Sequence, residues 1–247
     1  MNKKIVENYE NLCKKSSIDI ITSGRYLFSQ GYHYPTYLAN DIASKLELQK
    51  EDRLIDIGCN IGIYHEKLKD RVSFILGIDA GIEIIRKAKE KNNFENVDYL
   101  VLDVLDGDWS AIDGKFNKAI VYSVIHFFDC VDYVENLLRE LLQVMEQKCT
   151  IMIGEVRDRQ LYNEFQENKK TKRISLRNTK FMINRIINSI YINKGKPNQI
   201  IGFPCTVYDF KEIERVAAKL SLECVMIQQT RNNPFYNTCV DYVLQRK

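Results

Sequence analysis

Proline is scarce in this chain, with 4 residues in 247, and glycine is modest at 11. That excludes collagen-like and low-complexity readings, and a composition 45% hydrophobic and 28% charged excludes a disordered one. No apolar run approaches the roughly 20 residues that span a bilayer, so no membrane insertion is expected. The opening Met1-Asn2-Lys3-Lys4-Ile5-Val6-Glu7-Asn8 lacks the apolar stretch of a signal peptide. The 7 cysteines include no Cys-x-x-Cys pair, so neither a disulfide framework nor a zinc site is indicated. Free thiols in a reducing cytoplasm are the simplest expectation. Acidic clusters that would hold magnesium are also lacking, and no metal is expected. The net charge of +3 decides nothing about partners.

Hydrophobic period carries the fold. Up to about Lys50 the pattern is helical, with Leu38, Ile42 and Leu46 four residues apart and aromatics crowded around them. Short apolar runs follow at Leu54-Ile55-Asp56-Ile57, Phe74-Ile75-Leu76-Gly77-Ile78, Tyr99-Leu100-Val101-Leu102, Ala119-Ile120-Val121-Tyr122 and Thr150-Ile151-Met152-Ile153. Amphipathic helical patterns separate them, one through Ile82, Ile85 and Ala88, another from Val131 to Met145. Strands alternating with helices build right-handed βαβ units and a parallel sheet covered on both faces. A helical segment then spans about Asp158 to Ile192, and a cleaner helix starts at Asp209 with Glu212 three residues on. Two last strands, near Leu222–Ile227 and Cys239–Leu244, allow a terminal hairpin across Arg231-Asn232-Asn233-Pro234. The expected fold class is α/β: a doubly wound, mostly parallel seven-stranded sheet. Residues 1–50 form a helical cap and 51–247 the Rossmann-like domain, with 158–208 as a helical insertion.

The richest local signal is Asp56-Ile57-Gly58-Cys59-Asn60-Ile61-Gly62, a strand running into a glycine-bearing turn and a helix. It lacks the Gly-x-Gly-x-x-Gly of dinucleotide sites and the Gly-Lys-Ser/Thr of phosphate loops. The acid closing the strand suits a ligand carrying an amine better than one carrying pyrophosphate. Asp79 stands where a carboxylate can take both hydroxyls of a ribose, and Asp103 within reach of an adenine amino group. Each acid could also serve only as a helix or turn cap.

This ordered set resembles the class I S-adenosylmethionine-dependent methyltransferases, whose first motif reads acid-x-Gly-x-Gly-x-Gly. Asp56, Gly58 and Gly62 match it, while Asn60 replaces the middle glycine. Asp79 with Ala80 matches the ribose-binding position, and Asp103 with Val104 the adenine side. Tyr122-Ser123-Val124-Ile125-His126 is similar to the segment lining the cofactor's methyl end. Tyr208-Asp209-Phe210-Lys211-Glu212-Ile213 resembles the start of the late helix of small-molecule members. The resemblance implies S-adenosyl-L-methionine as cofactor, with Cys59, Asn60, Tyr122 and Ser123 beside it. Tyr26 and Arg25 of the aromatic cap would serve as lid and carboxylate partner, and Tyr32 would face the acceptor, with ordinary core packing of the cap tyrosines as the alternative.

His126 is the base candidate for a hydroxyl acceptor, with a packed or capping histidine as the alternative. His65, on the helix after the glycine loop, reads as structural. Asn233-Pro234-Phe235-Tyr236 resembles a base-methylation motif, but it falls in the hairpin and reads as a turn. From Asn168 to Tyr208 there is no Asp or Glu among nine Lys and Arg. Arg173, Arg177 and Lys180 share one helical face. Such a face suits a phosphorylated, nucleotide-linked or carboxylated small-molecule acceptor, or is simply solvated. A nucleic acid partner is the less expected alternative; an RNA-modifying enzyme and a non-catalytic adenosine-ligand-binding protein are the other readings. The Lys-, Asn- and Ile-rich texture suggests an AT-rich bacterial genome and, by association, surface-glycan decoration.

Overall fold

The computed structural model describes residue 7, residues 34–171 and residues 205–247. In chain order the elements are α1 (Tyr34–Leu46), β1 (Arg53–Ile57), α2 (His65–Leu68), β2 (Phe74–Asp79), α3 (Ile82–Lys91) and β3 (Val97–Val101). They continue with β4 (Phe116–Tyr122), α4 (Val131–Val144), β5 (Met145–Arg157), α5 (Arg159–Thr171), α6 (Phe210–Lys219), β6 (Glu223–Gln228) and β7 (Cys239–Arg246). The seven strands form one sheet in the order β3-β2-β1-β4-β5-β7-β6. The β1–β5 pairings are parallel, and β7 runs antiparallel to both neighbours. The order reverses between β1 and β4, the switch point at which open α/β sheets leave a crevice for ligands.

The strand runs are apolar on both sides because two cores press on the sheet. One packs α4 and α6 against Ile55, Ile57, Val121, Ile151 and Ile153; the other packs α1 and α3 against Leu54, Ile75, Ile120 and Met152. The late helix begins with a complete capping box between Asp209 and Glu212. Two details depart from the sequence reading. Ile82, assigned to the buried stripe of α3, is 66% exposed, and Ile84 takes its place beside Ile85 and Ala88. Ile82 opens the helix just past the end of β2, so its side chain lies beyond the surface that the helix covers. The late hairpin connection is also longer than a four-residue turn, running from 229 to 238.

A buried ionic network ties α1 to the far half of the sheet. Lys45 Nζ lies 2.6 Å from Asp241 Oδ2 and 2.5 Å from Asp41 Oδ2. Burial opposes the Lys45 charge, yet the two carboxylates hold its pKa above the ordinary lysine value. Asp241 is fully buried, and its other oxygen accepts from Gln229 Nε2 and from the Glu155 N–H, both at 2.7 Å. Removing the cation leaves a buried carboxylate without its counter-charge. Lys45→Met is therefore expected to cost about 3 kcal/mol, read as a lower denaturant midpoint at unchanged slope.

Candidate functional site

The carboxyl ends of β1, β2 and β4 meet at the switch point, and β1 and β4 hand the chain to turns with left-handed backbone. Gly58, Asn60 and Gly62 all have positive φ, at +69°, +51° and +60°. Asparagine tolerates this left-handed region, so Asn60 can stand where the family pattern has glycine. Its Oδ1 accepts from the Ile61 N–H at 2.8 Å, holding the turn. A side chain at Gly58 would run into Val124 of the β4 turn. At Gly62 a Cβ would meet the Tyr99 hydroxyl and lie 2.8 Å from His65 Nδ1. Both positions thus need glycine because neighbouring side chains already fill the space that a Cβ would take.

Asp56 is buried beneath this loop. Its Oδ2 accepts from the Tyr64 hydroxyl at 2.7 Å and lies 2.8 Å from His65 Nε2. His65 Nδ1 is in turn 2.7 Å from the Tyr99 hydroxyl. With the proton on Nε2, the ring donates to the carboxylate and accepts from the tyrosine, so both ring nitrogens are satisfied. Burial first, and then the neighbouring Asp56 charge, push the Tyr64 phenol well above its usual pKa. Asp56 Oδ1 is buried and has no hydrogen-bond partner among the described residues. Such an oxygen calls for a donor from outside the network.

Asp79 ends β2. One oxygen accepts from the Asn60 N–H at 3.1 Å and the other from the Gly81 N–H at 3.0 Å, so the acid ties the glycine loop to the start of α3. Burial pushes its pKa up to about 6, against the pull of those N–H donors. Ala80 beside it is half-buried. Asp103 lies two residues beyond β3 and its Oδ1 accepts from the Leu105 N–H at 3.1 Å, a turn-capping bond. Val104 is buried, with its carbonyl accepting from Trp109 Nε1. Cys59 is buried too, and burial raises its thiol pKa well above the ordinary value.

At the end of β4, Tyr122 accepts from Asn233 Nδ2 at 2.8 Å through its hydroxyl. The Asn233-Pro234-Phe235-Tyr236 segment is a turn, closed by the Phe235 N–H on Asn233 Oδ1, and it buttresses Tyr122 from the hairpin. Ser123 has φ +61°. His126 lies on a 3₁₀ turn, Ile125–Phe127, and is buried with its ring 4.1 Å from that of Phe127. Its carbonyl accepts from the Thr206 N–H at 2.9 Å. Asp158 and Tyr208 form a bridge, so the insertion leaves and re-enters the domain at one place, beside His126.

The structure therefore brings Asp56, Gly58, Cys59, Asn60, Gly62, Asp79 and Ala80 together, with Asp103 and Val104 at the next strand end. Tyr122, Ser123 and His126 stand across the switch point. Arg25, Tyr26, Tyr32, Arg173, Arg177 and Lys180 lie outside the described residues. Three features escaped the sequence reading: the His65–Tyr99 support of Asp56, the exposed Ile82 beside Asp79, and Glu155. Among the described residues no group of His, Cys, Asp and Glu is placed to hold a metal ion, and no helix is long and apolar enough to cross a membrane.

Residues 55–153 match the family described as Methyltransferase domain. The ribosomal protein L11 methyltransferase of Thermotoga neapolitana is 26% identical over 159 residues, 62% of this chain and 55% of that protein. The chain thus spans about half the length of that curated relative. Among solved structures, the magnesium protoporphyrin IX methyltransferase of Synechocystis PCC 6803 with bound S-adenosylhomocysteine superposes with a TM-score of 0.62 at 9% identity. It covers 100% of this chain and 96% of its own. The phosphoethanolamine N-methyltransferase 1 of Haemonchus contortus, with phosphoethanolamine and S-adenosylhomocysteine, gives a TM-score of 0.63 at 12% identity. It covers 98% of this chain and 48% of its own. These likenesses establish the fold.

Proposed function

We propose that this chain, which carries a class I S-adenosylmethionine-dependent methyltransferase domain, transfers a methyl group to an oxygen of an anionic small molecule in the cytoplasm. S-adenosylmethionine is the cofactor of that domain, and the residues present fit it. The unpartnered Asp56 Oδ1 is an acceptor suited to the amine of the methionine moiety. Asp79 has lone pairs remaining for the two ribose hydroxyls, and the tight left-handed turn from Gly58 to Gly62 lies at the carboxyl end of β1, where open α/β sheets take their ligands. Ile82 offers an exposed apolar surface next to Asp79 for the adenine. This convergence on the switch point is the observation that carries the reading.

When bound, the cofactor supplies an electrophilic sulfonium methyl. The protein's share is to hold acceptor and methyl in line and to exclude water, which accounts for most of the acceleration in such displacements. Ser123 and His126 stand at the β4 edge where the acceptor would lie. Tyr208, the last residue of the acid-free, nine-cation stretch 168–208, bridges to Asp158, and Thr206 two residues before it donates to the His126 carbonyl. That placement supports an acceptor with a phosphate or carboxylate, gripped by Arg173, Arg177 and Lys180. Phosphoethanolamine, held by the solved Haemonchus contortus neighbour, is an acceptor of that charge class. Surface-glycan precursors linked to nucleotides belong to it as well. In this reading residues 1–50 cap the cofactor and 158–208 select the acceptor.

Calorimetry with S-adenosylhomocysteine tests the cofactor half, and methyl transfer from labelled S-adenosylmethionine to phosphorylated and carboxylated alcohols tests the acceptor half. No heat of binding would refute the first. Transfer to RNA but to none of these alcohols would refute the second. The pKa of Asp79 adds a pH signature. Ribose hydroxyls donate to the ionised carboxylate, so S-adenosylhomocysteine affinity should be flat above pH 7. It should fall by about tenfold per unit below pH 6, since only the ionised fraction binds.

A further inference from the structure

β5 contains an irregularity that the cofactor site does not require. Its pairing with β7 slips between Ile153 and Val156, and Glu155 inside that slip has φ +55°. A left-handed non-glycine residue in a strand costs about 1–2 kcal/mol and persists only where its surroundings enforce it. Here they do. The Glu155 N–H donates to the buried Asp241, and Oε1 accepts from Ser123 Oγ at 3.1 Å. Ser123 is itself left-handed, and its N–H donates to the Gly154 carbonyl at 2.9 Å.

The consequence is one of direction. Ile151, Ile153 and Val156 all join the core beneath α4 and α6. Strict alternation along β5 would send residue 155 into that core and residue 156 to the opposite face. The bulge inserts one residue, returns Val156 to the core and leaves the Glu155 carboxylate beside Ser123 at the carboxyl edge. Glu155 is only 4% exposed, so the chain maintains an acid at low exposure one strand from the switch point, next to the β4 turn.

We propose that Glu155 is a catalytic residue on the acceptor side, facing the transferred methyl and taking the proton of a hydroxyl acceptor. The proposal rests on the methyltransferase reading and sharpens it: the accepting oxygen carries a proton, while the anionic group lies elsewhere on the same molecule. An already ionised oxygen at this place would confront a like charge at low exposure, which is costly. In the reaction the acceptor O–H bond breaks with its proton passing to a Glu155 oxygen, and the new bond forms from acceptor oxygen to methyl carbon. The methyl–sulfur bond breaks with its electron pair staying on sulfur. The products are the methyl ether and S-adenosylhomocysteine, and Glu155 later loses the proton to water.

The test needs no acceptor. Sinefungin replaces the S⁺–CH₃ of the cofactor by C–NH₃⁺, so its ammonium reports on what faces the methyl. Calorimetry on the full chain should show sinefungin binding at least ten-fold tighter than S-adenosylhomocysteine. Glu155→Gln should bring the two within about two-fold while the S-adenosylhomocysteine affinity stays put. A wild-type preference that survives Glu155→Gln, or no preference at all, overturns the proposal. Should Glu155→Gln fail to fold, Glu155→Asp withdraws the acid by one methylene and must cut the ratio at least three-fold. Wild-type protein that binds neither ligand refutes the cofactor reading itself, a different result from an unchanged ratio.

Discussion

His65→Ala is expected to lower folding stability by about 3–5 kcal/mol, the cost of stripping one partner from a buried polar pair. The side chain is fully buried between Asp56 and the Tyr99 hydroxyl. Its removal leaves a cavity, a carboxylate held by Tyr64 alone, and a phenol with no acceptor. Urea unfolding at constant slope measures the loss. Pairing the change with Asp56→Asn in a double-mutant cycle separates the coupling from the cavity. The two losses should be clearly sub-additive, because the amide no longer needs the imidazole's support. Full additivity, or a loss under about 1 kcal/mol, would mean that His65 is filling space only.

Asp79→Ala should do the opposite to stability while abolishing binding. The folded carboxyl holds its proton more tightly than the unfolded one, with a pKa of about 6 against 3.8. The group's contribution is therefore fully present below pH 3.8 and is lost as pH rises through 6. Above pH 7 the ionised acid costs up to about 3 kcal/mol, the balance of burial against its bonds to the Asn60 and Gly81 N–H groups. The alanine variant should unfold no earlier than wild type at pH 8. Its affinity for S-adenosylhomocysteine should fall by 100-fold or more, since two charge-assisted hydrogen bonds at about 1.5–3 kcal/mol each disappear. Unchanged affinity would remove Asp79 from the cofactor site. A large loss of stability would make it a loop brace instead.

Asp56 and Asp79 were legible as strand-end acids because each lies at the end of a run buried on both faces, where the hydrophobic pattern alone marks a parallel strand. The capping box at Asp209 and Glu212 was legible for a similarly local reason. Glu155 was not. Its strand reads as ending near Ile153, and the slip that turns the acid outward is decided by pairing with β7, about 85 residues away. The Lys45–Asp241 contact joins residues nearly 200 apart and carries no local signal. His65 looked structural, and so it is, but its partner Tyr99 comes from β3. The phase of α3 failed for a geometric reason: a periodic stripe does not reveal that its first turn overhangs the sheet.

The bridge between Asp158 and Tyr208 has a consequence for how such a chain can change. Residues 159–207 depart from and return to adjacent points on the rim, so the sheet closes without them. Their length and content can vary while β5, α6 and the cofactor crevice keep their places. The segment is in effect a cassette. In the proposed reading, transplanting it between relatives should exchange acceptor preference and leave cofactor affinity behind, a separation of inheritance built into two neighbouring residues.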